Sequence, residues 1–357
     1  MVLMAIDHVR VYSGVPAGGR VWSVFLTRWV THFCAPWFVF LAGTGAFLYG
    51  QKLDARRGLA KFLVSRGALL VILELTIIRL SWTYNFDYAK FTLAGVIWML
   101  GWSMILLAAL VPLSPKTVGF AGLAMMVAQQ IFALPGKFLP TVLARSWEYI
   151  YPGGNDAFEA LTILYVIVPW VGVMAAGYGF GAILQRDPES RRRLCLAVGL
   201  ASTALFIALG IFLALGASGQ NPPPLWERVL NQQKYPPSQV FLLMTLGPMI
   251  ALLPFAERAE GAWAGTLALF GRVPMFYYLL HIPLIHFLAL VTNLLREGAF
   301  HQEWYNSAPY AQVPPDHRWP LALLYLVWAV ALAILYALCR WFANVKASGR
   351  YPWLRFI

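Results

Sequence analysis

A small set of residues in this chain combines titratable chemistry with apolar surroundings. His8 follows Asp7 within the apolar stretch that begins at Met1, and His32 opens a second such stretch. Glu74 and Arg79 fall in a third, and His281 and His286 share a fourth. A charged or titratable side chain at membrane depth is costly unless paired or hydrated, so each position is a functional candidate by default. Histidine, with an unperturbed pKa of about 6.5, can accept and return a proton near neutrality. Asp7 could fix the tautomer of His8, but adjacent helical residues point about 100° apart. Asp7 and Arg10, three residues apart, are better placed to pair. His8 can also be read as a hydrogen-bonded interhelical histidine, and His32 as an interfacial residue at a helix end. His281 lies close to Tyr277 and Tyr278 on the helical wheel and just before Pro283. A proline-interrupted membrane helix needs polar groups around it, because freed carbonyls must find partners.

Glu74 and Arg79 are not on one helical face, so each is free to pair with another helix. Asn85 and Asp87, in the aromatic run Trp82-Thr83-Tyr84-Asn85-Phe86-Asp87-Tyr88, supply hydrogen-bonding groups beside rings. That mixture suits a sugar, and equally an ordered interfacial loop. The glycines at 43 and 45 and at 172, 177, 179 and 181 read as close helix packing. They are not phosphate loops, since no strand precedes them and no P-loop lysine follows.

The elements that carry these residues follow from composition. Of 357 residues 60% are hydrophobic and 12% charged, against about 25% charged in a soluble protein. Apolar runs recur at 30–50, 63–81, 91–111, 117–134, 159–184, 193–215, 238–256, 273–295 and 319–341, each close to the length that crosses a bilayer. Met1 to Val11 is too short to cross and looks like the outer half of a tenth span with a truncated or misassigned start. The expected fold is an all-α polytopic transmembrane helix bundle of about 10 spans, forming one integral-membrane domain over residues 1–357. Cys34, Cys195 and Cys339 show no metal-type spacing, and no metal site is expected.

The net charge of +12 would suit nucleic acid only on a soluble basic face, so no nucleic-acid partner is expected. About 16 basic residues, among them Arg56, Arg57, Lys61, Arg66, Arg191, Arg192, Arg193, Arg272, Arg350 and Arg355, fall on one side if the chain alternates, as cytoplasmic loops require. The carboxyl terminus is then cytoplasmic, and the longer loops at 135–158, 216–237 and 296–318 lie outside. Trp82, Trp319 and Trp341 fall at span ends, where indoles favour the headgroup level. All six histidines lie toward the outer face.

The run Met1-Val2-Leu3-Met4-Ala5-Ile6-Asp7-His8, the block Pro36-Trp37-Phe38-Val39-Phe40, the segment from Glu74 to Arg79, the Asn85-Phe86-Asp87-Tyr88 loop, and the segments 271–278 and 280–286 together resemble the heparan-alpha-glucosaminide N-acetyltransferase family, in particular its bacterial branch. The resemblance implies a membrane acyltransferase of the bacterial cytoplasmic membrane. It would move an acetyl or other acyl group from cytoplasmic acyl-CoA to a hydroxyl or amine of an extracytoplasmic sugar or glycan, with no permanently bound cofactor. In the lysosomal members the active-site histidine lies in a short aromatic loop between the first two spans. The corresponding stretch here, Gly14 to Arg28, has none, so His8 and His32, which flank it, are the candidates.

On that reading His8 is base or nucleophile, Asp7 its orienting partner, and His32 and His281 join them at the catalytic centre. Glu74, Arg79, Asn85, Asp87, Tyr278 and His286 would bind substrate, and Arg56, Arg57 and Arg272 the phosphates of CoA. The bilayer, acyl-CoA and a glycan acceptor are the implied partners, with a homo-oligomer as a further option. Two other classes fit the residues alone: a proton-coupled small-molecule transporter, whose mark would be inverted repeats with paired broken helices, and a non-catalytic membrane scaffold.

Overall fold

The computed structural model describes residues 1–18, 21–53, 55–153, 160–216 and 222–349. Arg350 and Arg355, and the parts of the expected outer loops at 154–159 and 217–221, lie outside the described residues. In chain order the α-helices are α1 (Val2–Ser13), α2 (Trp22–Trp29), α3 (Cys34–Gly50), α4 (Arg56–Leu73), α5 (Arg79–Thr83), α6 (Val96–Leu110), α7 (Pro115–Val127) and α8 (Thr141–Trp147). They continue as α9 (Trp170–Leu184), α10 (Pro188–Gly216), α11 (Leu225–Leu230), α12 (Gln239–Ala256), α13 (Ala262–Arg272), α14 (Pro274–Glu297) and α15 (Leu321–Ala347). Regular strand among the described residues is confined to β1 (Thr92–Ala94) and β2 (Leu161–Ile163), which pair in parallel with Thr92 opposite Leu161. The fold is an all-α membrane helix bundle.

Each of the nine apolar windows read from the sequence carries a helix, but the helices are not uniform. Among the described residues five are long and apolar enough to cross a membrane: 22–50, α10, α12, α14 and α15. A sixth arises if α7 and the segment Gln129–Lys137, bent by 66° from it, count as one span. Helices α6 and α9 have 15 residues each, about 22 Å of rise, which is short of a hydrocarbon core of about 30 Å. The window at 159–184 is short because its first part forms β2 rather than helix. The window at 63–81 is interrupted by a π turn over Glu74–Ile78. These breaks are departures from an even row of spans, and apolar composition alone does not show them. Only 17% of the apolar window of α10 is buried within the protein, which leaves the rest to face lipid.

The chain divides into two compact units, each made of separated segments. The first holds Met1–Cys34, Thr76–Asp87 and Ala259–Ile357, and the second holds Ala35–Leu75 and Tyr88–Arg258.

In the second unit α4 packs on α6, α7 on α9, and α10 on α12. With lipid on the outside, helices gain little from apolar burial against each other and depend on close approach. The small-residue runs serve that purpose. A Cβ on Gly43 would collide with the carbonyl of Met174, and one on Gly177 with the carbonyl of Phe40, so α3 and α9 meet backbone to backbone. Helix starts are capped from the sequence: the Ser114 hydroxyl accepts from the Thr117 amide at 3.1 Å, and Ser238 from Phe241 at 3.1 Å.

In the first unit α1 packs on α14 and α15, and α14 also contacts α5. Gly14 ends α1 and Gly298 ends α14, both in the left-handed conformation that glycine adopts without strain. The Val2 carbonyl accepts from the Trp328 indole at 3.1 Å, which ties α1 to α15.

Candidate functional site

Helix α1 carries His8 and α14 carries His281, and in the first unit their rings meet. His8 Nδ1 lies 2.7 Å from His281 Nε2. The rings are 24° from coplanar with centroids 4.7 Å apart, which is an edge-to-edge hydrogen bond and not a face stack. His281 is fully buried, and its Nδ1 lies 2.7 Å from the Tyr278 carbonyl and 3.2 Å from that of Tyr277. A carbonyl only accepts, so the hydrogen of His281 sits on Nδ1. In a neutral pair His281 Nε2 is then the acceptor, His8 donates from Nδ1, and the lone pair of His8 is presented at Nε2. His8 is half-buried, so it is the reachable member of the pair, with His281 behind it. The edge of Trp82 packs against His8, with ring centroids 4.8 Å apart.

Asp7 was expected to orient His8, but the structure pairs its carboxylate with Arg10, whose Nε and Nη2 donate to Oδ1 at 3.1 and 2.9 Å. His8 has a ring partner on α14. Arg10 also donates to the Val15 carbonyl at 3.1 Å, fixing the exit of α1. His32 is buried on a 3-10 turn, Val30–Phe33, which packs against α1.

A second cluster adjoins this pair in the same unit. His286, five positions beyond His281 on α14, has Nδ1 3.2 Å from the Ser81 carbonyl and Nε2 3.2 Å from Gln302 Oε1. The Gln302 amide is oriented by its Nε2 donating to the Thr83 carbonyl at 2.7 Å. Both ring nitrogens of His286 therefore face oxygen acceptors. Tyr84 lies over the ring at 3.9 Å between centroids, and Tyr12 and Tyr305 close two more sides at 4.8 and 5.4 Å. The Tyr12 hydroxyl donates to the Trp82 carbonyl, and the Tyr305 hydroxyl to the Tyr12 carbonyl. Burial pushes the Tyr305 hydroxyl up to about 12, so it remains a protonated donor near neutrality.

Arg79 is buried, and its guanidinium donates to the carbonyls of Asn85 and Asp87 and to the Thr83 hydroxyl. The Asn85 side chain accepts from the Asp87 amide at 3.1 Å and donates to Asn306. This loop is held by its own polar groups. The Tyr84 hydroxyl reaches the Pro283 carbonyl at 2.5 Å, which anchors the loop on α14.

Glu74, in the second unit, has a defined task. Its Oε2 accepts from the Ile97 and Trp98 amides at 2.9 and 3.2 Å, capping the first turn of α6. Gly95 permits this approach, because a Cβ there would strike the carboxylate. Arg56 and Arg57 are exposed at the start of α4, where Arg56 donates to the Pro112 carbonyl at 2.6 Å, and Arg272 is exposed in the last turn of α13.

Sequence reasoning missed Tyr12, Tyr84, Gln302 and Tyr305. The four-residue interval from His8 to Tyr12 places both on one face of α1 and could have been read. Nothing local marks Gln302 or Tyr305. Trp82 and Trp319, expected at the headgroup level, are buried within the unit, and Trp341 is exposed on α15.

The fold is that of an integral membrane helix bundle, and its first and a late helix bring two histidines together. Residues 1–230 match the family described as heparan-alpha-glucosaminide N-acetyltransferase, catalytic, and the chain belongs to that family. The family is one of membrane acetyltransferases that use acetyl-CoA as donor and imply a sugar acceptor. No curated protein matches the chain. The matched region contains His8, His32, Glu74 and Arg79, while His281 and His286 lie beyond it.

Proposed function

We propose that this protein transfers an acetyl group from cytoplasmic acetyl-CoA to a hydroxyl or amine of an extracytoplasmic sugar, with His8 as the catalytic group and His281 as its positioning residue. The observation that carries this reading is the fixed polarity of the pair. The Tyr278 carbonyl holds a hydrogen on His281 Nδ1, and His281 Nε2 in turn holds one on His8 Nδ1, which leaves the basic lone pair on His8 Nε2. A second imidazole here performs the orienting task that a carboxylate performs in a Ser-His-Asp triad. His286 differs in kind, since both of its nitrogens are directed at acceptors, and we assign it to holding the Tyr84 loop.

Two routes use the same atom. In one, His8 Nε2 attacks the thioester carbonyl, the C–S bond breaks and CoA leaves as thiolate; the acceptor oxygen or nitrogen then attacks the acetyl-imidazolium, the N–C bond breaks, and the acceptor's proton goes to the freed His8 Nε2. In the other, Nε2 takes the proton of the acceptor O–H or N–H as that atom attacks the thioester, and the proton goes on to the departing sulfur. Arg56 and Arg57, exposed at the start of α4, carry the charge that the phosphates of the donor require. The concentration of basic residues between alternate spans supports a cytoplasmic carboxyl terminus, and the resemblance to the bacterial branch of the family supports residence in a bacterial cytoplasmic membrane.

The test is acetyl transfer from labelled acetyl-CoA in proteoliposomes. His8→Ala is expected to remove at least 99% of the rate, an effect on the order of the 10²–10⁴-fold that a general acid–base group contributes. Unimpaired transfer in that variant would overturn the assignment. Label retained on the wild-type protein in the absence of acceptor, and missing from His8→Ala, selects the covalent route.

A further inference from the structure

In the second unit α10 and α12 run antiparallel in close register. Gly199 meets the backbone of Ala251 and Gly247 that of Thr203, so four residues along one helix match four back along the other. Two turns toward the start of α10, the same register sets Arg192 opposite Arg258, which lies in the turn that ends α12. The two ends meet there: the Arg191 guanidinium donates to Glu257 Oε2 from Nε at 3.1 Å, with Nη2 at 3.0 Å from the same oxygen. Arg191 also donates to the Leu184 carbonyl at the end of α9, at 3.1 Å. Both arginines of the facing pair are exposed.

Like charges therefore stand at facing positions, and the neighbouring carboxylates are already engaged. Glu257 answers Arg191, Glu189 answers Arg193, and Asp187 accepts from the Ser190 amide at 2.9 Å. Among the described residues no carboxylate pairs with the guanidinium of Arg192, of Arg258 or of Arg186, whose own carbonyl lies 3.4 Å from Arg191 Nη1. Glu260, exposed and two residues past Arg258, is the remaining carboxylate of this stretch. The depth of the pair points to its counter-ion. No residue is charged from Leu194 to Leu215 on α10 or from Val240 to Ala256 on α12, so both helices enter hydrocarbon immediately past the arginines. The apolar window of α10 is 17% buried, which leaves this end open to lipid. Val198 on α10 and Leu252 and Phe255 on α12 are exposed within two turns of the pair. A phospholipid phosphate offers an oxygen to each guanidinium, and its acyl chains cover the apolar side chains below. A zwitterionic headgroup would add a further cation to a cluster already in excess. We propose that Arg192 and Arg258 bind the headgroup of an anionic phospholipid whose chains lie along the seam of α10 and α12. The proposal does not depend on the acetyl-transfer reading.

The experiment uses the full chain in dodecyl maltoside, titrated with palmitoyl-oleoyl phosphatidylglycerol or the matching phosphatidylcholine, and native mass spectrometry counts the bound lipids. A basic residue at a membrane surface contributes about fivefold to the binding of anionic lipid, so the wild type is expected to prefer its first phosphatidylglycerol by about 25-fold. Arg192→Ala and Arg258→Ala are each expected to cut that preference to about fivefold. Arg193→Ala, whose charge Glu189 already matches, is expected to keep most of it. Arg258→Glu supplies the missing carboxylate opposite Arg192 and is expected to abolish it. Glycerol 3-phosphate, a headgroup without chains, is expected not to compete. Equal affinity of the wild type for the two lipids overturns the proposal. An equal loss in Arg193→Ala and Arg192→Ala also overturns it, since that describes a diffuse positive field and not a site. Displacement of phosphatidylglycerol by an equal concentration of glycerol 3-phosphate overturns it too, in favour of a site for free phosphate. The lipid comparison and the competition need no variant, so they decide the matter where a substitution does not fold.

Discussion

The hydrogen on His281 Nδ1 sets the direction of the pair in which it sits. Removing it should leave His8 present but able to turn. His281→Ala is expected to lower kcat about 10–100-fold, less than the loss of His8 itself, with KM little changed, because interactions that orient a general base are expressed in the transition state. Steady-state acetyl transfer checks this, and KM rising alone would indicate a binding role instead. Glu74 belongs to another category of buried polar group. With its carboxylate gone, two amides at the start of α6 lose their acceptor, so Glu74→Ala should cost about 1–3 kcal/mol, and Glu74→Gln should recover part of that through its amide oxygen. Denaturation in mild detergent measures both. The Asp7–Arg10 pair was legible in the sequence because helical neighbours three apart face one another. The His8–His281 contact was not, since 273 positions separate the two residues and no local periodicity connects them.

At the scale of helices, contact rather than hydrophobicity decides the second unit. Two glycines two residues apart on α3 make the point. A Cβ at Gly43 meets backbone of α9, whereas one at Gly45 has nothing within 4 Å. Gly43→Ala should therefore destabilise by about 1–3 kcal/mol through overpacking. Gly45→Ala should be neutral or slightly stabilising, because it removes a helical glycine worth up to about 1 kcal/mol. Thermal unfolding of the two variants side by side gives the comparison, and equal effects would contradict the packing described here. Apolar run length located a helix in every window, since backbone groups in lipid must be satisfied within the segment. It did not reveal the π turn at Glu74–Ile78, the parallel β1–β2 pair or the bend after α7. These depend on tertiary partners that hydropathy does not encode.

For the whole molecule, the testable quantity is which side of the membrane each loop occupies. Helix α10 is bounded by Arg191, Arg192 and Arg193 at its start and by the α11 segment after its end. The charge distribution predicts the first end inside and the second outside. Both Arg192 and Gln233 are exposed. With the native cysteines replaced, a membrane-impermeant maleimide added to intact cells should label Gln233→Cys at once and Arg192→Cys only after permeabilisation. The reverse pattern would invert the orientation and with it the proposed direction of acetyl transfer.

The first unit is assembled from the beginning, a short middle stretch and the last hundred or so residues of the chain. Its histidine pair is therefore an event in time as well as in space. At about 5–20 residues per second, His8 waits on the order of 15–55 seconds after leaving the ribosome's tunnel before His281 follows it. Throughout that interval α1, with Asp7, His8 and Arg10, has neither α14 nor α15 to pack against. The pair consequently cannot form partway through synthesis: it arrives near the end of translation, when the fourteenth helix follows the first.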